Sequence, residues 1–342
     1  GRPLLGWLSF PIVAIALTII LMYEARPNLN GSLSASDNKT GITRCNRVEI
    51  IDIDAIAGVG RGFQASCIYS HDATLLDIDI SQSTNFDKLT DSIQQSLLNP
   101  LGYPGKTYGG IQIAIEDTRM PPYTIRLQQS GGNSTSVPAG PLKNSILGAP
   151  LAARSSKSVQ TLLRFTPKLT NYPNLQRRDG SELLQGELVN PLPVDLLDGM
   201  LIYRNWAYLL RTRFPAGGRI ERIDSLRQKN FRWRLSRQTA LESSRDTEEW
   251  DPSTVEIPDR VAEMLMFHNA VGGSRYTGLR DDALSSLDLS HTLSDDRCIL
   301  IGRLADELTS LELSDGESEI EKNGKSLTMI RLVLPVTSEK DL

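Results

Sequence analysis

Two acidic pairs, Asp52 with Asp54 and Asp77 with Asp79, stand two residues apart in isoleucine-rich surroundings. On a β-strand that spacing sets both carboxylates on one face about 7 Å apart, an arrangement open to a hard cation or to general acid-base chemistry. Solvent-facing strand positions show the same spacing, and no third ligand converges on either pair. Gly58, Gly60 and Gly62 imitate a dinucleotide-binding loop, but the residues after them alternate as a strand where that loop requires a helix. Gly105-Lys106-Thr107 imitates the end of a phosphate-binding loop, yet the position of its earlier glycine is held by Pro100. His71, His268 and His291 lack ligand spacing, and Gly272, Gly273, Ser274 and Gly278 do not match a nucleophile elbow. No catalytic, cofactor-binding or metal-binding residue is assigned, and no cofactor is expected.

The elements that would carry these residues are mostly strands, because period-two alternation dominates after residue 46. Residues 48–55 predict a first strand, Gly58 and Gly60 its turn, and residues 62–69 the returning strand. Cys45, Cys67 and Cys298 are an odd set at irregular spacing, which excludes a disulfide framework or zinc finger. A turn near Ala57 and Gly58 would place Cys67 opposite Val48 rather than Cys45, and all three cysteines read as small buried or half-buried side chains. Leu76, Ile78 and Ile80 predict a strand, as do Ile111, Ile113 and Ile115, then Tyr123, Ile125 and Leu127, then Thr161, Leu163 and Phe165. Between them the sequence predicts a short helix over 91–98 capped by Thr90 and a Gly/Ser/Pro-rich loop over 130–141.

Turn residues from Pro167 to Gly180 mark a break, after which strands are expected over 184–189, 200–210 and 219–223. Residues 224–237 have helical character, and Val261, Met264, Leu265, His268 and Val271 fall on one face of an amphipathic helix starting at Pro258 and Asp259. His268 reads there as a satisfied core histidine. Strands resume over 298–301 and 327–336. The fold class expected is mainly β: an N-terminal transmembrane helix followed by two β-sandwich-like domains. These are a transmembrane segment 1–26, a linker 27–45, a first β-domain 46–170, and a second β-domain 171–342 with a mostly helical insertion 224–296.

The 342 residues are 39% hydrophobic, enough for ordinary cores, and the formal net charge of −4 offers no footprint for nucleic acid. The basic cluster Arg227, Lys229, Arg232, Arg234 and Arg237 encloses Phe231 and Trp233, an interleaving that could stack bases or touch headgroups. An acidic stretch, Glu242, Asp246, Glu248, Glu249 and Asp251, follows at once and favours a solvated helix with a compensating loop. Tyr203, Trp206 and Tyr208 could form an aromatic platform for a glycan, although half of a strand's aromatics ordinarily face its core.

Residues 4–23 run without a formal charge between Arg2 and Glu24. As a helix they would reach about 30 Å, the thickness of a bilayer's hydrocarbon core, with Trp7 and Tyr23 at the interfaces. A cleaved signal peptide has a shorter apolar core and a small-residue cleavage site, whereas this block ends in Met22, Tyr23 and Glu24. The chain opens on Gly1, so sequence upstream of it is expected.

Gly1-Arg2-Pro3-Leu4-Leu5-Gly6-Trp7-Leu8, the following Phe10-Pro11, and Asn46-Arg47-Val48-Glu49-Ile50-Ile51-Asp52 resemble a bacterial membrane-protein family of unassigned reaction, seen notably in planctomycetes. Gly186-Glu187-Leu188-Val189-Asn190, Leu196-Leu197-Asp198-Gly199, Met264-Leu265-Met266-Phe267 and Tyr276-Thr277-Gly278-Leu279 resemble further blocks of it. The resemblance implies a membrane hairpin whose outward arm is residues 4–23 and β-domains outside the cytoplasm, and it carries over no catalytic residue. Arg26 and Lys39 oppose that orientation under the positive-inside rule. Two functional classes stay open. One is a membrane-anchored, non-catalytic interaction or envelope-scaffold protein that contacts the bilayer through 4–23 and a protein partner in the envelope. The other is an envelope glycan-binding module or hydrolase.

Overall fold

The chain's first hairpin joins β1 (Thr43–Asp54) to β2 (Val59–Ser70). Asp54 makes the turn: its Oδ1 accepts the amide hydrogens of Ile56 and Ala57 at 2.9 and 3.0 Å, and Gly58 adopts φ +64°. The cap starts the ladder at Asp54–Val59, so Val48 faces Ala65 and Asn46 faces Cys67. The expected pairing of Val48 with Cys67 is thus shifted. Cys45 and Cys67 lie on opposite faces of the sheet, and Cys67 is exposed rather than buried, whereas Cys298 is buried. The computed structural model describes residues 43–100, 123–129, 140–240, 245–253, 258–279, 285–315 and 322–337. The expected span 4–23, Gly105-Lys106-Thr107, the strand at 111–115 and most of the loop 130–141 lie outside the described residues. Among the described residues no helix is long and apolar enough to cross a membrane.

The first half continues with β3 (Thr74–Gln82), α1 (Thr84–Leu89), β4 (Thr90–Pro100), β5 (Thr124–Gln129), β6 (Leu142–Leu151) and β7 (Ser155–Pro167). The helix expected at 91–98 is strand β4, paired antiparallel with β7. The helical turn precedes it, capped by Ser83, whose Oγ accepts the Phe86 amide at 3.3 Å. Phe86 and Leu89, three residues apart, bury one face of that turn, while residues 91–98 find their partners across the sheet, so tertiary pairing overrides local preference.

The second half comprises β8 (Asn174–Arg177), β9 (Leu184–Val189), β10 (Leu196–Tyr203), β11 (Trp206–Leu209), β12 (Arg213–Phe214), β13 (Arg219–Ile220) and β14 (Arg227–Asn230). Then follow α2 (Phe231–Leu235), β15 (Arg237–Thr239), β16 (Thr247–Glu249), α3 (Pro258–Met266), α4 (Ser274–Thr277), β17 (Arg297–Leu304), β18 (Thr309–Ser314), β19 (Lys322–Asn323) and β20 (Ser326–Pro335). The insertion expected as mostly helical therefore mixes short helices with strands.

The protein is mainly β. A 15-stranded sheet runs β14-β11-β10-β17-β20-β1-β2-β7-β4-β6-β3-β18, with β12, β19 and β5 on β10, β1 and β6. The boundary expected at residue 170 does not divide it: β1 pairs antiparallel with β2 and parallel with β20, and residues 41–342 form one unit. One core joins Ile51, Ile53, Phe86 and Phe165 from the first half to Leu175, Leu188, Leu201 and Leu332 from the second. A separate buried cluster of Ile68, Leu76, Ile78, Ile146, Leu311 and Leu313 lies among β2, β3, β6 and β18. The opposite face of β10, β17, β20 and β1 is covered by the insertion through Phe231, Leu235, Trp250, Met264 and Phe267. On α3 the buried residues are Ala262, Met264 and Met266, and Leu265 is only half-buried. The helix ends at Met266 and passes into a 3-10 turn at Asn269–Val271, so the expected stripe does not hold.

Candidate functional site

Two polar rows cross the sheet at right angles to its strands, on opposite faces. On the first face Thr328 of β20, Glu49 of β1, Gln64 of β2 and Thr161 of β7 stand in direct register, all buried. Glu49 Oε1 accepts from the Thr309 amide at 3.1 Å and Thr309 Oγ1 at 2.6 Å, and Oε2 accepts from the Leu308 amide at 3.1 Å and Thr328 Oγ1 at 3.2 Å. Arg47, two residues along, donates to the Thr309 carbonyl at 2.8 Å and pairs with Glu307. This row bolts the start of β18, which ends the path of the sheet, onto β1 near its middle. Burial pushes the Glu49 carboxyl above its ordinary pKa, against the donors and Arg47.

On the second face the row is Arg331 of β20, Asp52 of β1, Arg61 of β2, Arg164 of β7 and Gln95 of β4. Arg331 is fully buried and grips Asp52 with both ends of its fork, Nε to Oδ1 at 2.6 Å and Nη2 to Oδ2 at 2.8 Å. Its Nη1 donates to the carbonyls of Leu287 at 2.6 Å and Met266 at 3.3 Å, tying the insertion to the sheet. Among the described residues Arg61 reaches only Asp52 Oδ2, at 3.3 Å, with 59% of its side chain exposed. Arg164 is exposed and makes no ion pair among the described residues. Arg61, Arg164 and Gln95 line an open groove of about 390 Å³ whose apolar walls are Ile50, Phe63, Leu162 and Leu287.

The residues singled out from sequence are mostly held in structural bonds. Asp52 and Asp54 share a strand face, but one is held by Arg331 and the other caps the hairpin and meets Arg297 at 3.5 Å. Asp77 accepts the Gly148 amide at 2.7 Å, and Asp79 pairs with Lys143 at 3.0 Å. Among the described residues no group of His, Cys, Asp and Glu could hold a metal. Gly60 and Gly62 lie within β2 where a Cβ would strike Phe165 and Leu163, so close packing explains those glycines. His268 is buried with Nε2 at 3.2 Å from Thr277 Oγ1 and from the Leu279 carbonyl.

The aromatic platform does not form: Tyr203 and Tyr208 are wholly buried, donating to Asp296 at 3.2 Å and accepting from the Leu184 amide at 2.7 Å, and only Trp206 is part-exposed. Strand alternation put both tyrosines on the core face. In the basic cluster Phe231 is buried edge-on against Phe267 at 4.9 Å, and Arg234 forks onto Glu263 at 3.0 and 3.3 Å. Arg260 pairs with Glu263 and donates to the carbonyls of Arg234, Leu235 and Arg237, closing the end of α2. Arg237 and Glu249 face each other across β15 and β16, so the acidic stretch does fold back on the basic one.

Arg61, Arg164, Gln95 and Arg331 escaped sequence reasoning. One signal was available: Arg331 is the sole charge within 327–336, and a lone charge in a strand buried on both faces demands a partner of opposite sign. Against protein-family models the chain matches none, and against the curated proteins it matches none.

Proposed function

We propose that this protein is a non-catalytic interaction protein, tethered to the membrane by residues 4–23 with its β-body outside the cytoplasm. The observation that carries the reading is the exposed pair Arg61 and Arg164, cross-strand neighbours in a groove where, among the described residues, the one lining carboxylate, Asp52, is already gripped by Arg331. Catalysis would call for a carboxylate or nucleophile free to move a proton, whereas Glu49, Asp52, Asp54, Asp77 and Asp79 are each engaged in holding the fold. The charge-free stretch 4–23 and its resemblance to a membrane-protein family support the tether. Burial of Tyr203 and Tyr208 weakens the glycan-platform alternative.

Crosslinking of the tagged full chain in its native membrane should recover a defined protein partner. Recovery of none, with turnover of an envelope glycan or peptide by the purified protein, would overturn the reading. Removing residues 1–26 should release the body from detergent dependence, and an intact chain that extracts into plain buffer would refute the tether.

A further inference from the structure

We infer that the groove over β2 and β7 is a recognition site for an extended acidic peptide segment, a carboxylate seated between Arg61 and Arg164 and an apolar side chain beside it against Phe63 and Leu162. The inference rests on the interaction role proposed above and names the chemistry of the partner. Arg61 and Arg164 are directly opposed on antiparallel strands, a placement that brings Cβ atoms to about 5 Å and makes like charges repel. Within the row three arginines face one aspartate. Arg331 takes both Asp52 oxygens at 2.6 and 2.8 Å, which leaves Arg61 a shared oxygen at 3.3 Å and Arg164 no ion pair among the described residues. An anion between the two forks relieves that repulsion, and a planar carboxylate matches guanidinium geometry.

The walls choose among anions. Leu162 is 37% exposed beside Arg164, and Phe63 and Leu287 continue an apolar surface along the groove. This favours an acidic residue with an apolar neighbour over a bare inorganic anion, and Gln95 at the far end of the row can pair with a peptide amide. A lipid surface is recognised by clusters of about four to eight cations at the headgroup level, whereas two guanidinium groups here sit between a sheet face and Ser286–Leu287. Arg331 holds Asp52 and the insertion at fixed positions, so the two exposed forks are presented on a rigid strand pair.

The test uses the full chain in detergent micelles and a fluorescently labelled peptide of alternating glutamate and leucine, read by polarisation. Binding should weaken with salt, as an exposed charge contact must. It should fall about tenfold or more in Arg164→Gln, fall further in Arg61→Gln/Arg164→Gln, and be retained in part by Arg164→Lys. The melting temperature of Arg164→Gln should be unchanged or raised, since a like-charge contact is removed. Equal binding of the glutamine-leucine peptide, or affinity unaltered in the double variant, would overturn the site. Binding of phosphatidylglycerol vesicles or tripolyphosphate in place of the peptide would overturn the peptide assignment. If the double variant still captures the same crosslinked partner, the site fails while the interaction role stands; if no partner is captured but peptide binding persists and is lost on mutation, the role fails and the site stands.

Discussion

Replacing Arg331 with methionine should destabilise the β-body by about 3–5 kcal/mol, the usual consequence of stripping one partner from a buried ion pair. Arg331 is fully buried and Asp52 is 8% exposed, so the orphaned carboxylate is poorly hydrated in place. Arg61 is a poor substitute: it is bonded at 3.3 Å to one oxygen and largely in solvent. The variant also strips a donor from the carbonyls of Leu287 and Met266, a further loss that overlaps with the first rather than adding to it. With a urea m value of about 3 kcal/mol/M, the unfolding midpoint should drop by about 1–1.7 M. Asp52→Asn alone should cost a similar amount, and the Asp52→Asn/Arg331→Met double variant should recover at least about 2 kcal/mol of the summed losses, because neither partner is then left charged and alone. Hydrogen exchange supplies a local readout, since the Leu289 amide donates to the same Met266 carbonyl at 2.9 Å and should exchange faster once Arg331 is gone. A loss under about 1 kcal/mol, or strict additivity of the two single variants, would refute the view that this pair fastens the insertion to the sheet.

Three further outcomes are expected. Burial raises the Glu49 carboxyl, so between its ordinary value of 4.5 and the higher folded value the native state holds a proton that the unfolded state has lost. Its contribution is complete below that window and lost as pH rises through it. Wild-type stability should therefore decline relative to Glu49→Gln as pH increases, and a pH-independent difference in urea midpoint would contradict it. Gly60→Ala should cost about 1–3 kcal/mol by overpacking, because the new Cβ would lie 2.3 Å from the buried Phe165 ring, itself set edge-on to Phe86 at 5.2 Å; an unmoved melting temperature would sink this account of the glycine. A thiol reagent should modify exposed Cys67 in the native protein, while Cys298, buried and with its thiol pushed upward by burial, should react only on unfolding, and early labelling of Cys298 would show the sheet to be open there.

Period-two alternation made most strands legible: residues 184–189 match β9, and the strands read around Thr161 and Leu327 match β7 and β20 in position. Alternation reports which residues share a face, not which strand lies alongside. The parallel pairing of β1 with β20 joins residues nearly three hundred positions apart and carries no local signature, so the chain read as two units. Helix readings failed where packing decided them. Residues 91–98 pair with β7 as a strand, whereas the helix expected from Pro258 does form as α3 but stops at Met266, short of Val271, and buries Ala262, Met264 and Met266 rather than a single stripe. The acidic pairs were visible as residues, but their partners were not, because Arg331 and Gly148 are adjacent to Asp52 and Asp77 only through register and hydrogen bonding.

Strand β1 links fold to site because its alternation sends successive carboxylates to opposite tasks. Glu49 accepts the amides of Leu308 and Thr309, fastening the start of β18 to β1. Asp52, three residues on, faces the other way and is held by Arg331, which also holds the carbonyls of Met266 and Leu287. Because Arg331 takes both Asp52 oxygens, Arg61 keeps only a shared oxygen at 3.3 Å and Arg164 makes no ion pair among the described residues. The buried Arg331 therefore does more than fasten the insertion. By occupying Asp52 it leaves the exposed forks of Arg61 and Arg164 with charge to spend on a ligand, and by reaching Leu287 it positions the apolar wall of the groove in which that ligand would lie.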